Sequence, residues 1–115
     1  MTSYELLQML VLLLVAHALA DYPLQGEFLA KAKSRFVPVP GVPWYQALGA
    51  HAVIHGGAVA WITGSLVLGA LEVLCHMLID DLKCGHRISY NADQLLHVAC
   101  KVLWVVLIVL FPTLP

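Results

Sequence analysis

Residues 45–82 form one long and mostly apolar stretch, about twice the length that a single helix needs to cross a bilayer. A bilayer core of about 30 Å takes roughly 20 helical residues, so a stretch of this length must fold back on itself. Thr63, Gly64 and Ser65 provide the break, because residues of these types favour a turn. The sequence therefore predicts a hairpin of two helices, at about residues 45–62 and 66–82.

Two further apolar segments flank this hairpin. Residues 4–20 are almost wholly aliphatic, and residues 92–111 run up to a proline that ends the helix. With 61% hydrophobic and 11% charged residues, the chain has too few charges to cover a soluble bundle. We expect an all-α fold, a four-helix transmembrane bundle of one domain (residues 1–115), with spans at about 4–20, 45–62, 66–82 and 92–111.

The basic residues predict the orientation of these spans. Five of them lie in the two connections after spans one and three, namely Lys31, Lys33, Arg35, Lys83 and Arg87. Cytoplasmic connections carry the excess of Lys and Arg, so we expect an up-down-up-down topology with both termini outside. The chain would then be a multi-pass protein of the bacterial inner membrane. Because Glu5 replaces a basic leader region, we expect span one to be retained rather than cleaved as a signal peptide.

Eight ionisable residues of this apolar chain fall into four pairs with a spacing of four. Such a spacing places two side chains on the same face of a helix, so that both can point at one target. Ionisable groups within membrane segments are costly and usually face a bundle interior. The pairs are His17 and Asp21, His51 and His55, His76 and Asp80, and Asp93 and His97.

The predicted topology brings the four pairs to the same depth, near the cytoplasmic face. The pairs end spans one and three and begin spans two and four, as ligands do in metal-binding helix bundles. One pair alone is typical of a cap or an interhelical hydrogen bond, whereas four convergent pairs favour a metal centre. Zinc with an open position is the first choice, and manganese or iron the alternatives. Eight candidates exceed one tetrahedral shell, so either two ions bind or some residues orient the ligands.

These motifs resemble those of an uncharacterised family of small polytopic membrane proteins of bacteria and their phages, a domain of unknown function. The resemblance rests on the stretches 17–25, 76–83 and 93–97, together with His51 and His55. More distantly, the His-x3-Asp pairs are similar to those of membrane-bound proteins described as metal-dependent hydrolases. That similarity implies metal ligands at His17, Asp21, His76 and Asp80. This chain is short, however, and leaves no room for a separate substrate domain.

We therefore expect a metal-dependent hydrolase of an ester or phosphoester at the membrane interface. The ion would activate a water molecule, and Asp93 or Asp21 would take its proton. The five basic residues of the two connections would attract anionic head groups of membrane lipids. In this interpretation Glu72, near the middle of span three, is dispensable.

Two other classes of function remain open. A divalent-cation or proton transporter would need a polar path deeper in the bilayer, for which Glu72 and Lys101 are the candidates. An interaction protein would use the cluster only to hold the helices together. A net charge of −1 and the absence of nucleic-acid motifs give no support to nucleic-acid binding. The small residues Ala52, Gly56, Ala60 and Gly64 predict close helix packing, either within the bundle or across a homodimer.

Overall fold

The structure is a computed structural model that describes all 115 residues, and it contains five helices and no strands. The helices are α1 (Ser3–Asp21), α2 (Gly26–Ala32), α3 (Trp44–Thr63), α4 (Leu66–Cys84) and α5 (Tyr90–Leu110). The four long helices begin and end within two residues of the positions that the sequence predicts. The all-helical prediction is thereby confirmed.

Local capping explains where three of these helices begin. Thr2 caps α1 in a capping box, in which its hydroxyl accepts from the Glu5 amide at 3.2 Å and the Glu5 carboxylate accepts from the Thr2 amide at 2.7 Å. Ser65 and Ser89 cap α4 and α5 through the amides three residues ahead. Helix α3 ends at Gly64, whose φ of 72° lies in the left-handed region that glycine adopts without strain. The predicted turn between α3 and α4 is therefore present.

The short helix α2 was not predicted, because its seven residues lie in a stretch that is polar overall. Its one sequence signal is the pair Glu27 and Lys31, whose side chains meet at 2.7 Å across one turn. Directly after the helix, Lys33 turns inward and is only 3% exposed. The segment between α1 and α3 thus delivers a lysine into the interior.

The four long helices enclose a common interior. Helix α1 packs against α3 and α5, and α4 packs against the same two helices. The closest approach is between α3 and α4, where a Cβ atom added to Gly56 would lie 2.7 Å from the Gly69 carbonyl oxygen. The stripe of small residues on α3 is therefore used inside the chain.

The interior is polar and the surface is apolar. Among the 24 buried residues, twelve are polar or charged and ten are hydrophobic, whereas thirty large hydrophobic residues are exposed. Helices α1 and α5 are long and apolar enough to cross a membrane by their length and composition. Helix α4 carries four charged residues and α3 contains three glycines and two histidines, and neither of them is among these candidate spans.

Candidate metal centre

The four predicted pairs converge between the four long helices. The C-terminal parts of α1 and α4 lie beside the N-terminal parts of α3 and α5, as the alternating chain direction requires. The side chains of the eight residues are at most 8% exposed. They are His17 and Asp21 on α1, His51 and His55 on α3, His76 and Asp80 on α4, and Asp93 and His97 on α5.

The first group of donors surrounds the Asp21 carboxylate. Oδ1 of Asp21 lies 2.8 Å from Nε2 of His55, 3.2 Å from Nε2 of His51 and 3.8 Å from Nε2 of His76. Nε2 of His51 and Nε2 of His76 are 3.1 Å apart. Three imidazoles and one carboxylate from three helices therefore point at one small volume.

The second group lies around Asp80. Oδ1 of Asp80 is 3.2 Å from Nε2 of His97, and that nitrogen is 3.3 Å from Oδ1 of Asp93. The other oxygen of Asp80, Oδ2, accepts from Nζ of Lys33 at 2.6 Å. The rings of His76 and His97 stack with centroids 4.2 Å apart, so the two groups are adjacent.

The separations between donors fit a tetrahedral ion. Zinc bound to nitrogen or oxygen at 2.0–2.1 Å places its ligand atoms about 3.3 Å from one another. That value lies within the range of the four donor separations given above, 2.8 to 3.8 Å. These separations join atoms of Asp21, His51, His55 and His76. These buried groups could therefore hold a metal ion, and the Asp80, Asp93 and His97 group could hold a second.

The charges of the cluster also call for a cation. Four buried carboxylates, those of Asp21, Glu72, Asp80 and Asp93, face two buried ammonium groups, those of Lys33 and Lys101. If all the imidazoles are neutral, the carboxylates exceed the ammonium groups by two negative charges, an excess that is unfavourable in a buried cluster. A divalent ion would neutralise both.

Glu72 connects the cluster to the deeper part of the interior. Its Oε1 accepts from Nζ of Lys101 at 2.6 Å and lies 3.3 Å from Nδ1 of His76, and its Oε2 accepts from Nε1 of Trp104 at 2.6 Å. A carboxylate that accepts from Nδ1 of an imidazole leaves the lone pair on Nε2 free for a metal. Glu72 is not in the predicted ligand set, and its contact with His76 places it in the same buried cluster.

His17 is placed differently from the other seven residues. Its Nε2 meets Oε1 of Gln94 at 3.0 Å and is 3.4 Å from Oδ2 of Asp21, and it belongs to neither donor group. Gln94 in turn donates to Asp21 at 2.9 Å and to Asp93 at 3.1 Å. His17 and Gln94 therefore position the carboxylates.

A small cavity leads from the surface to the cluster. It has a volume of about 100 Å³, and both Asp21 and Asp80 line it. Tyr22 and Tyr90, whose hydroxyl groups hydrogen-bond to each other, line its outer part and are half exposed. Water and small ligands therefore have a way to the two carboxylates.

The connections differ from the expected pattern of free basic residues. Lys33 is buried and forms a salt bridge with Asp80. Its ammonium group is therefore not available to a lipid head group, contrary to the expectation from the sequence. Arg35 forms two hydrogen bonds with Asp81, at 2.8 and 3.0 Å, and these raise the pKa of its guanidinium. Lys31, Lys83 and Arg87 remain as the cations of the connections without a buried partner.

The chain belongs to the family described as protein of unknown function (DUF3307), whose model matches residues 9–114. No curated protein and no solved structure matches the chain. The matched residues include all four pairs and both connections.

Proposed function

We propose that this family member is a four-span protein of the bacterial inner membrane that binds a divalent metal ion and hydrolyses an ester or phosphoester at the membrane interface. The observation that carries the proposal is the buried set of donors around Asp21 and Asp80, in which carboxylates outnumber ammonium groups. The small cavity at these carboxylates supports access for a substrate.

The distribution of side chains supports the membrane location. A polar interior inside an apolar surface is the reverse of a soluble protein, and it suits a bundle whose outer face meets lipid. In an apolar 18-residue stretch of α1 and of α5, only 17% and 22% is buried inside the chain. A core helix of a soluble protein is mostly buried. Helices α3 and α4 would be the two remaining spans. Their polar side chains would face the interior cluster, and their apolar side chains would face lipid.

Zinc is the metal that we propose for the Asp21 group, with manganese or iron as the alternatives. Three imidazoles and one carboxylate are typical zinc ligands, and catalytic sites keep one position for water. The more acidic group of Asp80, Asp93 and His97 would take a second ion. The number of metal ions measured per chain distinguishes one bound ion from two.

In the hydrolytic reaction, a bound divalent ion would acidify a water molecule and so supply the nucleophile. When only the Asp21 group holds an ion, Asp93 is the better of the two candidate bases, since Oδ1 of Asp93 accepts no hydrogen bond while Asp21 lies at the centre of that group. Gln94 holds the other oxygen of Asp93 at 3.1 Å and fixes the direction of the free one.

The deeper half of the interior argues against a transporter. Glu72 and Lys101, the two candidates for a polar path, are paired with each other at 2.6 Å. Beyond them the interior is filled by the buried apolar side chains of Leu13, Val59, Leu68 and Trp104. An ion that reached Glu72 would meet this apolar layer next.

The metal content of the protein, purified in detergent without chelators, tests the proposal. We expect about one ion or more per chain, and hydrolysis of a lipid or soluble ester that stops when a chelator removes the ion. Asp93→Asn should retain the ion of the Asp21 group and lose hydrolysis. A well-folded protein with less than about 0.2 ions per chain would show that the cluster is a hydrogen-bonded staple between helices.

A further inference from the structure

A second and larger cavity lies beside the candidate metal centre, between the α2–α3 connection and the end of α4. Its volume is about 490 Å³, within the range of roughly 300–1,000 Å³ that small-molecule sites occupy. Lys31, Lys33, Lys83 and His86 contribute to its lining, and no carboxylate does. We refer to it as the basic cleft.

Two lysines of the basic cleft are free to bind an anion. Lys83 has no carboxylate within 4.0 Å, and its Nζ lies 5.3 Å from the centre of the Tyr90 ring. Lys31 is paired with Glu27, but the two side chains are 68% and 81% exposed, and such pairs contribute little in water. An anion that binds both lysines at once would therefore meet little competition.

The rest of the cleft is apolar. Residues 37–40, a run of alternating valine and proline, form one wall, and Val37 is 71% exposed. The neighbouring Phe36 is also exposed. A ligand that fits this surface combines an anionic group with an aliphatic part, and in a membrane interface that ligand is a phospholipid.

The basic cleft adjoins the small cavity at the metal centre. Lys33 and Lys83 line both cavities, one from the end of α2 and the other from the end of α4. A phosphate bound at Lys31 and Lys83 would therefore lie beside the passage to Asp21 and Asp80.

We propose that the basic cleft binds the phosphate of an anionic phospholipid head group, which makes a phospholipid the substrate of the metal centre. The identification as a substrate rests on the proposed metal-dependent hydrolysis, whereas the binding rests only on the proposed membrane location. Because Lys83 lines both cavities, a head group held in the cleft would lie next to the small cavity, whose lining includes Tyr22 and Tyr90.

Binding of short-chain lipids to the full chain in a neutral detergent tests this site. The probes are dihexanoyl phosphatidylglycerol, dihexanoyl phosphatidylcholine and inorganic phosphate, each titrated by calorimetry with and without a chelator. We expect phosphatidylglycerol to bind most tightly, and the double variant Lys31→Ala/Lys83→Ala to weaken it by about 10-fold or more. Arg35→Ala/Arg87→Ala is the matched control, because it also removes two cations, and both arginines are exposed and do not line the cleft.

The outcomes separate this inference from the proposed function. Loss of lipid binding in the double lysine variant, with binding retained in the chelated wild-type protein, supports the cleft even if no metal is found. Equal losses in this double variant and in Arg35→Ala/Arg87→Ala would overturn it, since both variants lose two cations and equal losses indicate attraction by net charge alone. Phosphate that binds as tightly as phosphatidylglycerol would also overturn it, and would assign the cleft to a soluble anion. In either of the last two cases a measured metal content leaves the proposed function intact.

Discussion

The five histidines of the cluster all direct Nε2 at carboxylates or at each other, but they differ in how the second nitrogen is held. Nδ1 of His76 faces Glu72, whereas Nδ1 of His17, His51 and His97 has no partner. A carboxylate on the far nitrogen fixes the tautomer and raises the basicity of a ligating imidazole. Among these candidate ligands, His76 is therefore the one whose ring has a carboxylate partner on Nδ1.

A comparison of two histidines on one side of the molecule tests this assignment. His76→Ala should lower metal affinity by at least about 10–100-fold, the loss that even removal of an outer partner produces, and should lower the melting temperature as well. His86→Ala should change neither, because His86 is exposed in the turn between α4 and α5. Metal retained after dialysis and thermal unfolding measure the two effects, and equal losses in both variants would contradict the ligand set.

At the scale of helices, the contact between α3 and α4 depends on two glycines that face each other. Cβ atoms at Gly56 and Gly69 would each lie within 2.8 Å of the other residue's carbonyl oxygen. Close approach of this kind lets backbones pack directly, and it brings His51 and His76 from the two helices to 3.1 Å. The small-residue stripe thus determines the geometry of the first donor group.

Alanine substitutions along α3 test that role. Gly56→Ala should destabilise the protein by about 1–3 kcal/mol, because the added methyl group meets backbone that cannot move aside. Gly57→Ala is the matched control, since nothing lies within 4 Å of the added atom, and it should be neutral or stabilising by up to about 1 kcal/mol. Thermal unfolding in detergent measures both. A Gly56→Ala variant that unfolds normally but loses cross-linking between chains would assign the stripe to a homodimer instead.

The sequence predicts the long helices well and the short one poorly, for a physical reason. A long apolar run between a cap and a break has few alternatives to a helix, so hydropathy and the turn at Gly64 suffice. Helix α2 is only seven residues long and depends on tertiary contacts, among them the bond of Lys33 to Asp80 at 2.6 Å. Composition does not reveal which carboxylate a lysine will meet.

For the candidate site, too, the sequence predicts one part and not the other. The spacing of four and the alternating direction of the helices predict that four pairs converge. They do not predict which atoms touch, because that depends on the rotation of each helix about its axis. For this reason the spacing alone does not reveal that His17 meets Gln94, or that Glu72 meets both Lys101 and His76.

At the scale of the whole molecule, the functional features lie at one end. The metal centre, the small cavity and the basic cleft all lie where α1 and α4 end and α3 and α5 begin. The opposite end holds the apolar layer of Leu13, Val59 and Leu68. In the proposed topology these features would all face one side of the membrane, and the basic connections predict the cytoplasmic side.

Labelling of Cys84 tests the sidedness. Cys84 ends α4 and lines the basic cleft, so a membrane-impermeant maleimide should modify it in inverted vesicles and not in intact cells. Burial raises the pKa of the Cys84 thiol, so the reaction is best followed at about pH 8. The variant Cys84→Ser/Thr113→Cys moves the thiol to the exposed C-terminal segment and should reverse the pattern, while Cys84→Ser alone gives the background of the two remaining cysteines. Modification of Cys84 from outside would instead place the cluster and the cleft at the outer face, where any lipid substrate would come from the outer leaflet.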